Sequence, residues 1–209
     1  MAETLKLYDL AASPNNIKVR IALAYKGIPC QKIPVNPRDR SEIIRLSGQP
    51  LTPILTHGSV VIFDSGAILR YLDANFRETP SLFSTDYDTM HEIEEWELLS
   101  RSTLADPVEI IFEECFAEKK DPSRAEQASR MLHEATARFE ERLSKGEWVV
   151  GDRMTAADVA TAPFVYYGML PPDAASANSI ARFFAEHLRL GSGRDRTRAW
   201  AARVMSHDR

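Results

Sequence analysis

The sequence predicts an α/β domain followed by an all-helical domain, and three observations point that way. Strand and helix signals alternate only over about the first eighty residues. Beyond Asp86 the strand signals almost vanish, and apolar residues recur every three or four positions: Ile93, Trp96 and Leu99, then Ile111 and Cys115, then Leu132, Phe139 and Leu143. The charge also changes sign: residues 1–80 hold ten Lys/Arg and seven Asp/Glu, and the rest of the chain holds sixteen and twenty-three.

In order, Leu5 to Tyr8 alternates apolar and polar residues as a short strand does. Ile17, Ile21, Ala22 and Ala24 follow at helical spacing, with Gly27 as the stop. Gln31 to Val35 reads as a second strand, and Asp39 to Leu46 as a short helix closed by Gly48. Ile54-Leu55 and Val60 to Phe63 flank His57-Gly58-Ser59, a hairpin turn. Ser65 reads as the N-cap of an amphipathic helix carrying Ile68, Leu69 and Leu72. The order is βαβαββα.

The boundaries read as a first domain over 1–76, a linker over 77–85 containing Pro80, and a helical domain over 86–209. Pro107 is expected to kink or break the first long helix after Ala105, and Gly168 to Ser179, with Pro171-Pro172, to be a second pause. Between Asp86 and Glu118 there are eleven acidic residues and one basic one, Arg101, which reads as solvated helix faces.

Composition excludes several classes. With 209 residues and 44% hydrophobic content the chain can build a real core. No stretch approaches the roughly 20 apolar residues that span a bilayer, and Met1 to Leu10 does not look like a signal peptide, so a cytoplasmic protein is expected. A net charge of −4 is a poor match to a nucleic-acid binder. Two distant cysteines, Cys30 and Cys115, exclude a disulfide scaffold or a zinc ribbon, and the five histidines show no metal-like pairing. No metal is expected.

The clearest local signal is Gly151 to Val159. Thr155 and Asp158 have capping-box spacing and Met154 and Val159 staple spacing, which predicts a buried helix from Ala156 to about Tyr167. Ser13-Pro14-Asn15-Asn16 lies between the first strand and the first helix. Ser is a favoured N-cap and Pro a favoured first helical residue, and the same helix end offers free N–H groups and a positive dipole to an anion. Leu51-Thr52-Pro53-Ile54 precedes the hairpin, and Asp64-Ser65 stands between its second strand and the next helix.

Taken in order, four segments resemble the cytosolic glutathione transferases over essentially the whole chain: Leu7 to Leu23, Leu51 to Leu55, Phe63 to Leu72, and Trp148 to Val159. The Ser-Pro start followed by Lys-Val-Arg-Ile-Ala-Leu is similar to serine-type classes such as tau and zeta. The resemblance implies a thioredoxin-like first domain, an all-helical second domain, a cis bond at Pro53, a homodimer and glutathione as cosubstrate. By position, Ser13 matches the hydroxyl that hydrogen-bonds the glutathione sulfur, with Asn15 as second choice. Thr52, before Pro53, would pair its backbone with the cysteinyl residue. Asp64 and Ser65 would hold the γ-glutamyl end; Gln49, Lys32 and Arg38 are candidates for the glycyl end. Ala11, Ile110, Phe112 and Tyr166 are expected to line the electrophile pocket.

There are departures from the family pattern. Thr52 stands where many members have Val, and Leu51 where some classes place Lys. The zeta Ser-Ser-Cys signature is absent, and no Cys lies near Ser13. The expected reaction is attack of a glutathione thiolate on an electrophilic small molecule. The alternatives are a non-catalytic binding or scaffold protein that keeps the fold, or a glutathione-dependent peroxidase or reductase.

Overall fold

The computed structural model describes residues 4–171 and 179–208; the part of the expected second pause that falls at 172–178 lies outside them. The chain forms two compact units, Met1–Ser84 together with Ser206–Arg209, and Thr85–Met205.

The first unit runs β1 (Leu5–Asp9), α1 (Pro14–Lys26), β2 (Gln31–Pro34), α2 (Ser41–Ser47), β3 (Ile54–His57), β4 (Val60–Phe63) and α3 (Ser65–Asn75), the βαβαββα order that the sequence pattern predicts. The strands lie in the order β2-β1-β3-β4. β2 is parallel to β1 because α1 carries the chain back, whereas β3 is antiparallel to both of its neighbours. Side chains alternate between faces. Tyr8 joins Ile43 of α2 and Ile54, with Ile33, Val35 and Leu46 packed around them. Its neighbour Leu7, fully buried, points the opposite way. α1 and α3 pack on one another and bury Ile17, Val19, Ile21, Ile68, Leu69 and Leu72. α1 ends where Gly27 turns left-handed at φ 65° and its N–H closes on the last turn.

Residues 80–83 are held to this unit by one carboxylate. Asp73 accepts from Lys26 Nζ at 2.6 Å and from the Leu82 and Phe83 N–H groups at 3.0 Å, and Lys26 also donates to the Pro80 carbonyl. Leu82 is thereby fully buried.

The second unit contains α4 (Tyr87–Leu99), α5 (Ala105–Phe116), α6 (Pro122–Ala135), α7 (Ala137–Arg142), α8 (Ala156–Tyr167), α9 (Ser179–His187) and α10 (Asp195–Met205). Its aromatic centre is Phe139, with ring centroids 4.6 Å from Trp96 and 5.1 Å from Trp200. α8 is buried along nearly its whole length and opens on the Thr155/Asp158 capping box at the residue the sequence predicts. Pro107 does not break a helix after Ala105. It lies inside α5, and the irregularity falls one turn earlier, as a π-helical turn over Ser100–Leu104. Proline has no N–H for the Thr103 carbonyl and its ring crowds that oxygen; a widened turn moves the carbonyl aside without ending the helix. Among the described residues, no helix is long and apolar enough to cross a membrane.

Candidate functional site

The strand register gathers three of the sequence motifs at one end of the sheet. Tyr8 pairs with Ile54, and Ile54 with Phe63. The last residues of β1 and β4 and the first of β3 therefore lie side by side. The loops that leave them carry Ser13, Thr52-Pro53 and Asp64-Ser65. β2 runs parallel to β1, so the segment leading to α2 starts from the same end.

Ser13 is the N-cap of α1, extended at φ −87° and ψ 124°, and its side chain makes no capping hydrogen bond. Pro14 follows as the first helical residue and has no N–H. The Ser13 carbonyl accepts from the Asn16 and Ile17 N–H groups, each at 3.0 Å. The cap is thus satisfied through the backbone, and the half-buried hydroxyl is not spent on it. Asn15 is exposed, while its neighbour Asn16 is fully buried. Asn16 Oδ1 accepts from Leu10 N–H at 3.1 Å, and Nδ2 donates to Thr52 Oγ1 at 2.9 Å. The sequence reading did not single out Asn16. Its only signal there was an amide residue just inside a helix start, and such a residue more often faces water.

One turn further along α1, Arg20 grips the same loop. Its Nη1 donates to Asp9 Oδ1 at 2.6 Å and its Nη2 to the Ala11 carbonyl at 3.0 Å. Asp208 accepts from Nε and Nη2 at 2.6 and 3.0 Å. Burial works to lower the Arg20 pKa, but the two carboxylates outweigh it and raise it above its ordinary value.

The Thr52–Pro53 peptide is cis, with Pro53 buried and Thr52 half-buried. Pairing between β1 and β3 stops at Ile54, so the Thr52 backbone lies beyond the ladder. Just before it, the Gln49 amide is committed to its own loop: Nε2 donates to Ser47 Oγ and the Leu51 carbonyl, and Oε1 accepts from Leu51 N–H. As the structure stands, Gln49 braces the approach to Thr52.

Ser65 is not the N-cap of α3. That position belongs to Asp64, whose Oδ1 accepts from Ala67 N–H at 3.0 Å, and Ser65 is the first helical residue. The shift has a conformational cause. Asp64 takes φ 71° and ψ 125°, a left-handed backbone that is rare outside glycine, and this brings its carboxylate over the helix end. Such strain persists only where surrounding structure enforces it, and it concentrates at functional sites. The Ser65 hydroxyl is thereby released from capping.

Among the glycyl-end candidates, Lys32 and Arg38 are both exposed, the first on β2 and the second in the segment before α2. The same segment contains a residue that sequence reasoning passed over. Arg40 leads into α2, and its Nη1 is buried without a hydrogen-bond partner. Buried polar groups are nearly always satisfied, so an orphaned guanidinium nitrogen calls for an acceptor. Of the expected electrophile contacts, Ala11 is an exposed loop residue of the first unit. In the second unit, Ile110 and Tyr166 are half-buried, and Phe112 is 50% exposed with its ring beside that of Phe116. Neither cysteine has an activated thiol: burial raises both pKa values, that of Cys30 to about 11.

The family description "Glutathione S-transferase, N-terminal domain" matches residues 7–80, and "Glutathione S-transferase, C-terminal domain" matches residues 104–208. The chain is similar to glutathione S-transferase F10 of Arabidopsis thaliana, 25% identical over 157 residues that cover 70% of this chain and 73% of that one. It is also similar to glutathione S-transferase Z1 of the same plant, 42% identical over 84 residues, 38% of each chain. A rice glutathione S-transferase solved in complex with glutathione has the same fold, with a TM-score of 0.78 at 24% identity over 99% of this chain and 91% of that one. With a βαβαββα unit followed by a helical one, and two family descriptions matched in succession along it, this chain belongs to the glutathione S-transferase family.

Proposed function

We propose that the protein is a glutathione transferase that binds glutathione at the end of the sheet from which Ser13, Thr52-Pro53 and Asp64-Ser65 emerge, and activates it as a thiolate. The observation that carries this reading is the Ser13 hydroxyl, which stands at the N-terminus of α1 and is not used as a cap. In this reading the hydroxyl donates to the glutathione sulfur, with Asn15, exposed in the first turn, as the alternative donor. Thr52 pairs its backbone N–H and C=O with the cysteinyl backbone in the manner of an added strand, beside Pro53. The Asp64 carboxylate binds the α-ammonium of the γ-glutamyl end, while the Ser65 hydroxyl and the α3 N-terminus take its α-carboxylate. At the glycyl end, the exposed cations Lys32 and Arg38 are the candidates for the carboxylate, and Gln49 holds the Thr52 loop in place. Support comes also from the rice relative, which was solved in complex with glutathione.

The chemistry is thiolate stabilisation. At a reference thiol pKa of about 8.5, roughly 3% of glutathione is ionised at pH 7; two units lower gives about 75% and requires about 2.7 kcal/mol. A hydrogen bond to a charged acceptor contributes about 1.5–3 kcal/mol. A helix N-terminus adds about 0.3–1 kcal/mol. Ser13 and α1 together supply about 1.8–4 kcal/mol, a range that brackets the requirement, and solvent takes the proton. The thiolate then attacks an electrophilic small molecule. A detoxifying, cytoplasmic homodimer is the setting that the family membership supports.

The test is a pH titration of the thiolate absorbance of bound glutathione in wild type and in Ser13→Ala. The expected result is a depressed pKa that rises toward the free value in the variant. Bound glutathione with an unshifted pKa overturns the activation step and leaves a binding protein. Failure to bind overturns the site.

A further inference from the structure

We propose that Asn16 is a positioning residue that sets the spacing between the Ser13 loop and the Thr52–Pro53 turn, acting through the Thr52 side-chain oxygen. The inference rests on the glutathione site proposed above. It begins from a fully buried amide on α1 whose two ends face different segments of the chain.

The orientation of that amide follows from its partners. Leu10 N–H can only donate, so Oδ1 must face it at 3.1 Å; Nδ2 is then the group aimed at Thr52, and Oγ1 accepts at 2.9 Å. The Leu10 end belongs to a closed ring of bonds. Asn16 Oδ1 holds Leu10 N–H, the Leu10 carbonyl accepts from Ser13 N–H at 2.9 Å, and the Ser13 carbonyl accepts from Asn16 N–H at 3.0 Å. That ring fixes the backbone of Ser13. From that ring Nδ2 reaches 36 residues along the chain to Thr52.

Glutathione has to satisfy both segments with one cysteinyl residue, its sulfur at Ser13 and its backbone at Thr52. Covalent geometry fixes the distance between those atoms, so the protein's spacing has little tolerance, and misplacement by about 1 Å can cost about a hundredfold. A hydroxyl-bearing residue before Pro53 is therefore part of the device in this chain. Val there would keep the shape and leave Nδ2 buried without an acceptor.

The experiment compares wild type, Thr52→Val, Thr52→Ser, Asn16→Ala and the double variant N16A/T52V. It reads glutathione affinity by calorimetry, the pKa of the bound thiol and the melting temperature. T52V is expected to weaken glutathione binding roughly tenfold and to raise the bound-thiol pKa. T52S, which keeps the oxygen, restores both, and the double variant is no worse than the worse single one. A T52V protein with wild-type affinity and wild-type thiol pKa overturns the inference, whatever happens to its melting temperature. So do additive losses in the double variant. T52V and T52S decide the matter by themselves if N16A does not fold. A wild type that fails to bind glutathione overturns the functional reading, and this inference with it.

Discussion

The indole N–H of Trp200 donates to Asp158 Oδ1 at 2.8 Å, joining α10 to the N-terminus of α8 across 42 residues of sequence. The same oxygen accepts from Val149 N–H at 3.1 Å, while Oδ2 accepts from the Thr155 N–H at 2.9 Å and from its hydroxyl at 3.2 Å. A capping residue has become the junction of three segments. Burial pushes the Asp158 carboxyl above its ordinary range, and the hydrogen bonds from Thr155, Trp200 and Val149 pull against it.

Asp158→Ala strands several buried donors at once and is expected to cost about 3 kcal/mol or more. Thr155→Ala removes one cap and is expected to cost about 1 kcal/mol. Denaturant unfolding of both variants checks the ranking; equal losses would mean that the cap alone, not the junction, stabilises α8.

Asp73 links stability to pH. Burial works to raise its pKa, but the hydrogen bonds from Lys26, Leu82, Ser81 and Phe83 outweigh this and hold it below the ordinary range. A depressed carboxylate contributes stability that is present above the unfolded value of about 3.9 and is lost as pH falls through the folded one. Asp73→Asn should therefore lower the melting temperature at pH 7, and the gap to wild type should close in strong acid. Melts of both proteins across that range are the check, and a constant gap would count against the linkage.

Arg20 is 7% exposed and holds Asp9, Ala11 and Asp208 with one guanidinium. Arg20→Met leaves Asp9 largely buried and unpaired, and is expected to cost about 3–5 kcal/mol. Arg20→Lys should recover only part of this, because an ammonium cannot supply the forked geometry. Asp208→Asn should be milder, since that carboxylate is more exposed than Asp9. Unfolding measurements on the three variants test the order.

Cys30 should react slowly. Burial raises its pKa to about 11, against the opposing effects of a Leu7 backbone hydrogen bond and Lys32. At pH 8 about 0.1% would be thiolate, compared with about 24% for an ordinary thiol, so alkylation should be roughly two hundredfold slower than for free cysteine. Mass spectrometry after timed iodoacetamide treatment reads this directly, and labelling at the rate of a free thiol would contradict it.

Local patterns in the chain were enough for the strands and helices of the first unit, because alternation, helical spacing and the glycines at 27 and 48 are short-range signals. The Thr155/Asp158 box was legible for the same reason: a capping box is written in four adjacent residues. Its partners Trp200 and Val149 were not, since nothing local marks a residue as the far end of a hydrogen bond. Pro107 and Ser65 show a different limit. The type of residue marked a helix irregularity and a helix start, and the backbone around it decided where each fell: a widened turn at Ser100–Leu104, and a left-handed Asp64.

The candidate site divides along the same line. Sequence alone marked the residues proposed to carry the chemistry, because Ser13, Thr52-Pro53 and Asp64-Ser65 each sit at a strand end or helix start that local signals define. Tertiary structure decided how those residues are held: the register that brings three loops to one end of the sheet, the amide of Asn16 between Leu10 and Thr52, and the guanidinium of Arg20 between Asp9 and Asp208. The physical reason is range. Backbone propensity and capping act over a few residues, whereas burying a polar side chain demands partners wherever the fold happens to place them.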